Sequence, residues 1–343
     1  MADKLLKKSD LAGFFKSLSK DCQILGPVKD GQGFKFDQVD GTEIPFDYQN
    51  TLMSPKDLFF PQSEKMFDFS TDPGKDGAFV LKEVPYSPGP RLVFGIRPCD
   101  AKAFQVLDKI FNNDQYSDPY WQEKRNSTIL IGLGCNHPCP TCFCTSVNCG
   151  PFHEEGLDIL ACDLGDELLL KPVTEKGQSI LDKADGLKPP QGKVDERAAA
   201  LRATAEAAIV SDVATENIFK RSVMELFEAG HWDRVYESCL NCGTCTYVCP
   251  TCHCFDIQDE TNQNQGVRIR NWDSCMSWLF TMHGTGHNPR PGKKERVRQR
   301  FMHKFKYIPL KRGGEIGCVG CGRCVNLCPV NIDVRDVVRD MNS

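Results

Sequence analysis

Two cysteine quartets in the second half of the chain have the spacing of iron–sulfur ligands. Each reads Cys-x2-Cys-x2-Cys-x3-Cys-Pro, at residues 239–250 and 318–329. Three cysteines at these intervals wrap a loop around one [4Fe–4S] cube, whereas the fourth, before proline, ligates the other cube. The spacing therefore predicts two clusters. The first has the ligands Cys239, Cys242, Cys245 and Cys328, and the second has the ligands Cys318, Cys321, Cys324 and Cys249.

A zinc site is the simpler alternative for clustered cysteines. Structural zinc takes four cysteine or histidine ligands in all, whereas this region offers eight cysteines in two quartets that each precede a proline. Gly243 and Gly322 also let the backbone approach a cube closely, where amides can hydrogen-bond to its sulfur atoms. The pattern therefore favours two [4Fe–4S] clusters over zinc.

Six more cysteines, at residue 99 and within residues 135–149, indicate a third site. Cys99 and Cys135 both follow predicted buried strands, RLVFGI (91–96) and TILIGLG (128–134). In an open α/β sheet the carboxyl ends of the strands line the ligand crevice, so these thiols are expected to meet. We hypothesise a third iron–sulfur cluster there, with zinc or redox-active thiols as alternatives. Its preferred ligands are Cys99, Cys135, Cys142 and Cys144, with Cys139 as the substitute.

Six cysteines remain outside these ligand sets and their substitute, and one of them is Cys149 of the 135–149 segment. Cys252, Cys254 and Cys275 flank the first motif and are interpreted as buried core thiols, with ligation left open. Cys22 and Cys162 have the character of ordinary lone cysteines. The spacing of the cysteines from Cys135 to Cys144 is repeated from Cys245 to Cys254. Ten residues are too few to establish a duplication, so convergence on a similar cysteine-rich turn is the preferred interpretation.

The elements around these cysteines predict an α+β fold. The two buried strands and the helical segment AKAFQVLDKIF between them predict a mixed α/β domain over residues 1–190. GLKPPQGK (186–193) is a linker candidate. Residues 195–210 and 214–230 have helical patterns, so residues 195–343 are expected to form a mainly helical domain containing a bacterial-type two-cluster ferredoxin module.

Composition limits the classes of partner. The chain has 343 residues and a net charge of −4, which gives no overall signal for nucleic-acid binding. The chain contains no run of 18 apolar residues, so no membrane-spanning helix is expected. Residues 1–20 are expected to form an amphipathic helix without the features of a secretory signal. Nineteen cysteines in so large a chain suit a reducing compartment and metal ligation, so a cytoplasmic location is expected.

A basic segment over residues 290–312 has two interpretations. It is either a solvated helix face, or a source of positive charge that raises cluster potentials and attracts an acidic partner. Arg97, beside Cys99, offers the same charge to the N-terminal site. No dinucleotide-binding loop, phosphate-binding loop or hydrolase motif is present, so hydride chemistry is assigned to another subunit.

Together these motifs resemble the iron–sulfur β subunit of cytoplasmic sulfhydrogenases, and equally the A-type iron–sulfur subunit of anaerobic sulfite reductases. The matching segments are FGIRPCDAKAFQVLD (94–108), CNHPCPTCFCTS (135–146), CPTCHCFD (249–256), GHNPRP (286–291) and CVGCGRCVNLCPV (318–330). The resemblance implies a subunit that stands between a flavoprotein, which handles nicotinamide or ferredoxin, and a catalytic subunit.

The expected function is therefore electron transfer in a multi-subunit oxidoreductase of an anaerobe. Single electrons would pass between a flavoprotein or ferredoxin and a hydrogenase, sulfite reductase or heterodisulfide-reductase subunit. Two alternatives stay open. The N-terminal cysteines could themselves reduce a disulfide or sulfur substrate, or the chain could be an iron–sulfur redox sensor. Turnover by the isolated chain would distinguish the first alternative from a non-catalytic relay.

Overall fold

A computed structural model describes all 343 residues, and its largest element is a seven-stranded sheet. The strands of the chain are β1 (Lys4–Lys7), β2 (Gln23–Asp30), β3 (Gly33–Gln38), β4 (Ser63–Ser70), β5 (Lys82–Glu83), β6 (Arg91–Ile96), β7 (Thr128–Leu133), β8 (Ile159–Asp163), β9 (Glu167–Pro172), β10 (Phe255–Asn262) and β11 (Gln265–Trp272). The large sheet has the order β1-β9-β8-β7-β6-β2-β3, with β2, β6, β7 and β8 parallel. The mixed α/β expectation for the first part of the chain is confirmed.

Thirteen α-helices accompany the strands. They are α1 (Leu11–Leu18), α2 (Pro98–Phe111), α3 (Pro119–Asn126), α4 (Glu175–Lys183), α5 (Val194–Ala207), α6 (Glu216–Lys220), α7 (Val223–Phe227), α8 (His231–Glu237), α9 (Thr244–Tyr247), α10 (Lys293–Met302), α11 (Ile308–Lys311), α12 (Arg323–Asn326) and α13 (Val334–Asn342). A π-helical turn, His303–Tyr307, joins α10 to α11. No helix is both long and apolar enough to cross a membrane.

Strand β6 shows why the large sheet is covered on both faces. All six of its residues are buried, as is usual in parallel sheets that carry helices on each side. Leu92 and Phe94 pack with residues of α1 and α4, whereas Val93 and Ile96 pack with residues of α2, α3 and α5. Gly95, in the left-handed region at φ 85°, forms a bulge that shifts the alternation by one residue.

Two expected helices differ from the structure. Residues 1–20 do not form one helix, because Lys4–Lys7 pair with β9 as an edge strand and only Leu11–Leu18 are α-helical. The segment 214–230 breaks into α6 and α7 at Ser222, whose side chain caps Glu225 N–H in a reciprocal capping box. The predicted helix from residue 195 is present as α5.

The second part of the chain contains a second sheet, so a mainly helical domain is not confirmed. Strands β10 and β11 form a hairpin whose turn places Gln263 at φ 53°, and the sheet has the order β10-β11-β4-β5. Strands β4 and β5 come from the first half of the chain, so this sheet unites the two halves. A domain boundary near residue 190 stays a prediction.

A buried ion pair also joins the two halves. Arg323, at the start of α12, donates to both carboxylate oxygens of Asp100 on α2, at 2.6 and 2.7 Å. The side chains are only 3% and 1% exposed, and Arg323 also donates to the carbonyl and hydroxyl oxygens of Thr51. Such a pair adds little net stability, but removing one partner leaves an uncompensated buried charge.

The substitution Asp100→Asn is therefore expected to destabilise the fold by about 3–5 kcal/mol, since it leaves the Arg323 charge buried without its counter-ion. Anaerobic chemical denaturation, followed by circular dichroism, measures the change. Asp259→Asn is the matched control, because it breaks the exposed pair with Arg268 and should leave the unfolding midpoint almost unchanged. Equal effects of both substitutions would show that the buried pair has no special role.

Candidate metal centres

The four ligands predicted for the first cluster line one cavity. Cys239, Cys242, Cys245 and Cys328 share its wall with Cys324, and most of the remaining lining is apolar, including Met276, Val297, Phe301, Ile332 and Val334. Gly243 adopts φ 76°, which turns the chain between Cys242 and α9. Backbone N–H groups of Asn241 and Ile332 donate to the sulfur atoms of Cys239 and Cys328, at 3.4 and 3.2 Å. The two motifs thus meet as their spacing predicts.

A second cavity brings together the other predicted set. Cys249, Cys318, Cys321 and Cys324 line it, together with three basic side chains, Arg300, Lys304 and Arg323. The N–H of Gly320 donates to Cys318 Sγ at 3.5 Å. Cys249 lies with the second motif and Cys328 with the first, which is the placement that an exchange of the fourth ligand requires.

The third cavity lies where the carboxyl ends of β6 and β7 were expected to place thiols. Its wall contains all four preferred ligands, Cys99, Cys135, Cys142 and Cys144, and also the substitute Cys139. The backbone N–H of Cys142 donates to the Cys139 carbonyl oxygen at 2.9 Å, and Asn50 Nδ2 donates to Cys139 Sγ at 3.5 Å. Cys149 does not line this cavity. Cys321 also lines this cavity but is a predicted ligand of the second cluster, so the choice of four ligands among the other five thiols stays a prediction.

The loop of the third cavity packs directly on the second ferredoxin motif. Phe143 N–H donates to the carbonyl oxygen of Gly320 at 2.9 Å. A Cβ on Gly322 would clash with Thr141 Oγ1, and one on Gly320 would lie 2.5 Å from the backbone of Cys144. These glycines therefore permit contact between two cysteine loops, a role that sequence reasoning missed because it assigned Gly322 only to the approach of a cube.

Two buried cations contact the predicted ligands. Arg300 Nε donates to Cys245 Sγ at 2.9 Å, and Lys304 Nζ donates to Cys249 Sγ at 3.3 Å. Both come from the segment 290–312, and the π turn that follows α10 carries Lys304. Arg296 and Lys306 are buried as well, so this part of the segment is not a solvated face.

Neither cation has a carboxylate partner. Burial acts to lower the pKa of Lys304, but the neighbouring Cys249 and Cys252 sulfur atoms raise it above its usual value overall. Arg300 lines both the first and second cavities, and its Nη1 is buried without a hydrogen-bond partner. Buried charges and unpaired N–H groups are costly unless an anion compensates them. An anionic iron–sulfur cube held by thiolates fits this surrounding.

Zinc stays an alternative for the third cavity. No three His, Cys, Asp or Glu side chains are arranged to hold a single metal ion. A tetrahedral zinc site needs four ligand atoms at about 2.0–2.3 Å from one centre. The cysteines line three separate cavities.

Arg97 and Lys56 are further buried cations beside the thiols. Arg97 donates to the carbonyl oxygens of Leu133 and Gly134, immediately before Cys135, at 3.1 and 2.9 Å. Lys56 donates to the Cys252 carbonyl oxygen at 2.9 Å and lies over the Trp272 ring. The sequence suggested Arg97 from its position beside Cys99, whereas Lys56 lies far along the chain from any cysteine and gave no such signal.

Comparisons with known proteins agree with this geometry. Residues 238–332 match the 4Fe–4S dicluster domain. The chain is therefore an iron–sulfur electron-transfer protein with two [4Fe–4S] clusters. It is 30% identical, over 346 aligned residues that cover 95% of each chain, to sulfhydrogenase 2 subunit beta of Pyrococcus furiosus. The chain belongs to this family of sulfhydrogenase β subunits, which confirms the resemblance seen in the sequence. No solved structure matches the chain.

The substitution Lys304→Met tests the influence of the buried charge. Removing a cation beside Cys249 should lower the potential of the cluster in the second cavity by on the order of 100 mV, because the reduced, more negative cluster loses its stabilising neighbour. A redox titration followed by electron paramagnetic resonance (EPR) measures this shift.

Lys306→Met is the matched control for this experiment. Lys306 lies two residues further along the same π turn but donates only to the backbone carbonyl oxygens of Ile218, Phe219 and Arg221. Its removal should leave all cluster potentials in place. Potentials that do not respond to Lys304→Met would contradict a tuning role for that side chain.

Proposed function

We propose that this chain relays single electrons through three iron–sulfur centres within a multi-subunit oxidoreductase. One observation carries the proposal: the three cavities share wall residues in a row. Cys321 lines the third and second cavities, and Cys324 lines the second and first. The first and third cavities have no lining residue in common. An electron would therefore pass from the N-terminal centre through the middle one to the first cluster, or in reverse.

The first cluster forms the exposed end of this row. Cys242 is the one exposed cysteine among the nineteen, and the neighbouring Leu240 is 65% exposed. The ligands of the middle cavity are by contrast buried or only partly exposed. One redox partner would therefore exchange electrons beside Cys242, and the other beside the partly exposed Cys135 and Cys142.

The partners are inferred from the family. The relative in Pyrococcus furiosus is the β subunit of a sulfhydrogenase. For this chain we infer a flavoprotein or ferredoxin as one partner and a catalytic subunit as the other, with hydrogenase, sulfite reductase and heterodisulfide reductase as the candidate types. Mass spectrometry of the native complex, purified without oxygen from its own cells, tests this. A flavin subunit together with one such catalytic subunit is expected, and a chain that purifies alone and turns over a substrate would overturn the relay.

A catalytic role for the N-terminal cysteines is the second candidate. The observation that favours it is that five thiols besides Cys321 line the third cavity, one more than a [4Fe–4S] cluster uses. A free thiol beside a cluster could attack a disulfide or sulfur substrate. Reduction of a disulfide by the isolated, cluster-loaded chain, lost in Cys139→Ser, would favour this function over a simple relay.

The number of clusters gives a direct prediction. Protein prepared without oxygen should contain about twelve irons and as many acid-labile sulfides per chain, four for each centre. Cys135→Ala, Cys318→Ala and Cys239→Ala should each lower the count by about four, since each removes a predicted ligand of a different centre. Cys22→Ala is the control, as Cys22 lines none of the three cavities. A count near eight in the unmodified protein would remove the third centre.

The order of the centres gives a further prediction for the fully reduced protein. The middle cluster should couple magnetically to both neighbours, so that Cys318→Ala leaves the two outer clusters with narrow, uncoupled EPR signals. Cys135→Ala or Cys239→Ala should each leave one coupled pair. Outer clusters that remain coupled after loss of the middle one would contradict the linear order.

A further inference from the structure

Two cysteines outside every predicted ligand set lie side by side. Cys254 immediately precedes β10, and Cys275 follows β11 in the same hairpin. Asp273 N–H donates to the Cys254 carbonyl oxygen at 2.9 Å, which holds the two chain ends together. Cys254 packs against the apolar cluster that contains Cys275, and each thiol shifts the pKa of the other, downward for Cys254 and upward for Cys275. Neither thiol lines any of the three cysteine cavities.

Chain neighbours of these two thiols contact the first and second cavities. Met276, the residue after Cys275, lines the first cavity. Cys252, two residues before Cys254, donates its backbone N–H to the carbonyl oxygen of Cys249, a residue of the second cavity, at 3.4 Å. Cys275 is 7% exposed and packs in the same apolar core as Cys245. Both predicted clusters of the ferredoxin module are thus near neighbours of the pair.

We propose that Cys254 and Cys275 form a redox-active dithiol that exchanges electrons with the relay. This proposal rests on the proposed function, because the relay is the source and acceptor of the electrons. The hydrogen bond between Asp273 N–H and the Cys254 carbonyl oxygen holds the two segments together, and both thiols pack in one apolar cluster, so an S–S bond could form through a local change in side-chain torsion. Buried thiols in a packed core are otherwise inert.

The redox step balances in two single-electron transfers. Oxidation breaks two S–H bonds, forms one S–S bond, and releases two protons and two electrons. The electrons reduce two oxidised iron–sulfur clusters by one electron each, and the protons leave to water on the partly exposed side of Cys254. Reduction reverses these transfers. The pair would therefore hold two electrons beside a chain of one-electron carriers.

The test measures the state of each thiol in the cluster-loaded protein. Protein poised anaerobically with soluble redox mediators, first fully reduced and then oxidised, is unfolded in acid with an alkylating reagent and digested. Mass spectrometry should find Cys254 and Cys275 alkylated in the reduced sample and joined as one disulfide-linked peptide pair in the oxidised sample. Cys22 and Cys162 should be alkylated in both samples and serve as internal controls.

Substitutions separate this role from metal ligation. Cys275→Ser should abolish the linked peptides and remove two electrons per chain from a reductive titration, with the iron content unchanged. Cys162→Ser is the matched control, since Cys162 is also buried, at 5% exposure, but lies in the core of the large sheet. That substitution should change neither result.

Two outcomes overturn the proposal. Full alkylation of both thiols at every poise would show an inert pair, and a loss of about four irons in Cys275→Ser would show a cluster ligand instead. Failure of the relay would appear separately, as an iron content well below twelve or as clusters without magnetic coupling. The linked peptides report on the dithiol in either case, so the two proposals can fail independently.

Discussion

The burial of positive charge beside cysteine sulfur is the constraint on which this structure depends. Arg300 and Lys304 are buried with no carboxylate partner, and each donates to the sulfur of a predicted ligand. A cation in such a place is stable only if an anion lies close to it. Anionic clusters held by thiolates would compensate the buried charge that α10 and the turn after it carry. The π turn that continues α10 orients Lys304 toward the second cavity.

The second ferredoxin motif lies at the centre of the contacts between cysteine loops. Thr141 packs against Gly322, and Thr251 donates to the Gly317 carbonyl oxygen at 2.8 Å. Both threonines belong to Cys-Pro-Thr-Cys segments, so the short repeat seen in the sequence has a common structural use, whatever its origin. Two similar loops thus contact the beginning of the same motif, whose cavity shares lining residues with each of the other two.

The sequence predicted the local chemistry better than the connections between distant segments. Motif spacing brought together Cys239 with Cys328 and Cys318 with Cys249, and strand ends brought together Cys99 with Cys135. The hairpin of β10 and β11 escaped prediction, because its long alternating segment is largely polar and its pairing with β4 is non-local. Nothing in the local sequence connects Asp100 with Arg323, since a buried ion pair between residues 223 positions apart depends on the tertiary fold.

The distribution of buried charge also bears on where an electron would reside in the proposed relay. Arg323 at the middle cavity is neutralised by Asp100, so the excess positive charge there comes from Arg300 and Lys304. Arg300 is shared with the first cavity, whereas Lys304 lines only the middle one. Positive charge favours the reduced cluster, which argues for a middle centre of higher potential than the first. Electrons would then collect at the centre next to the Cys254 and Cys275 thiols, where a two-electron store can be filled in single steps.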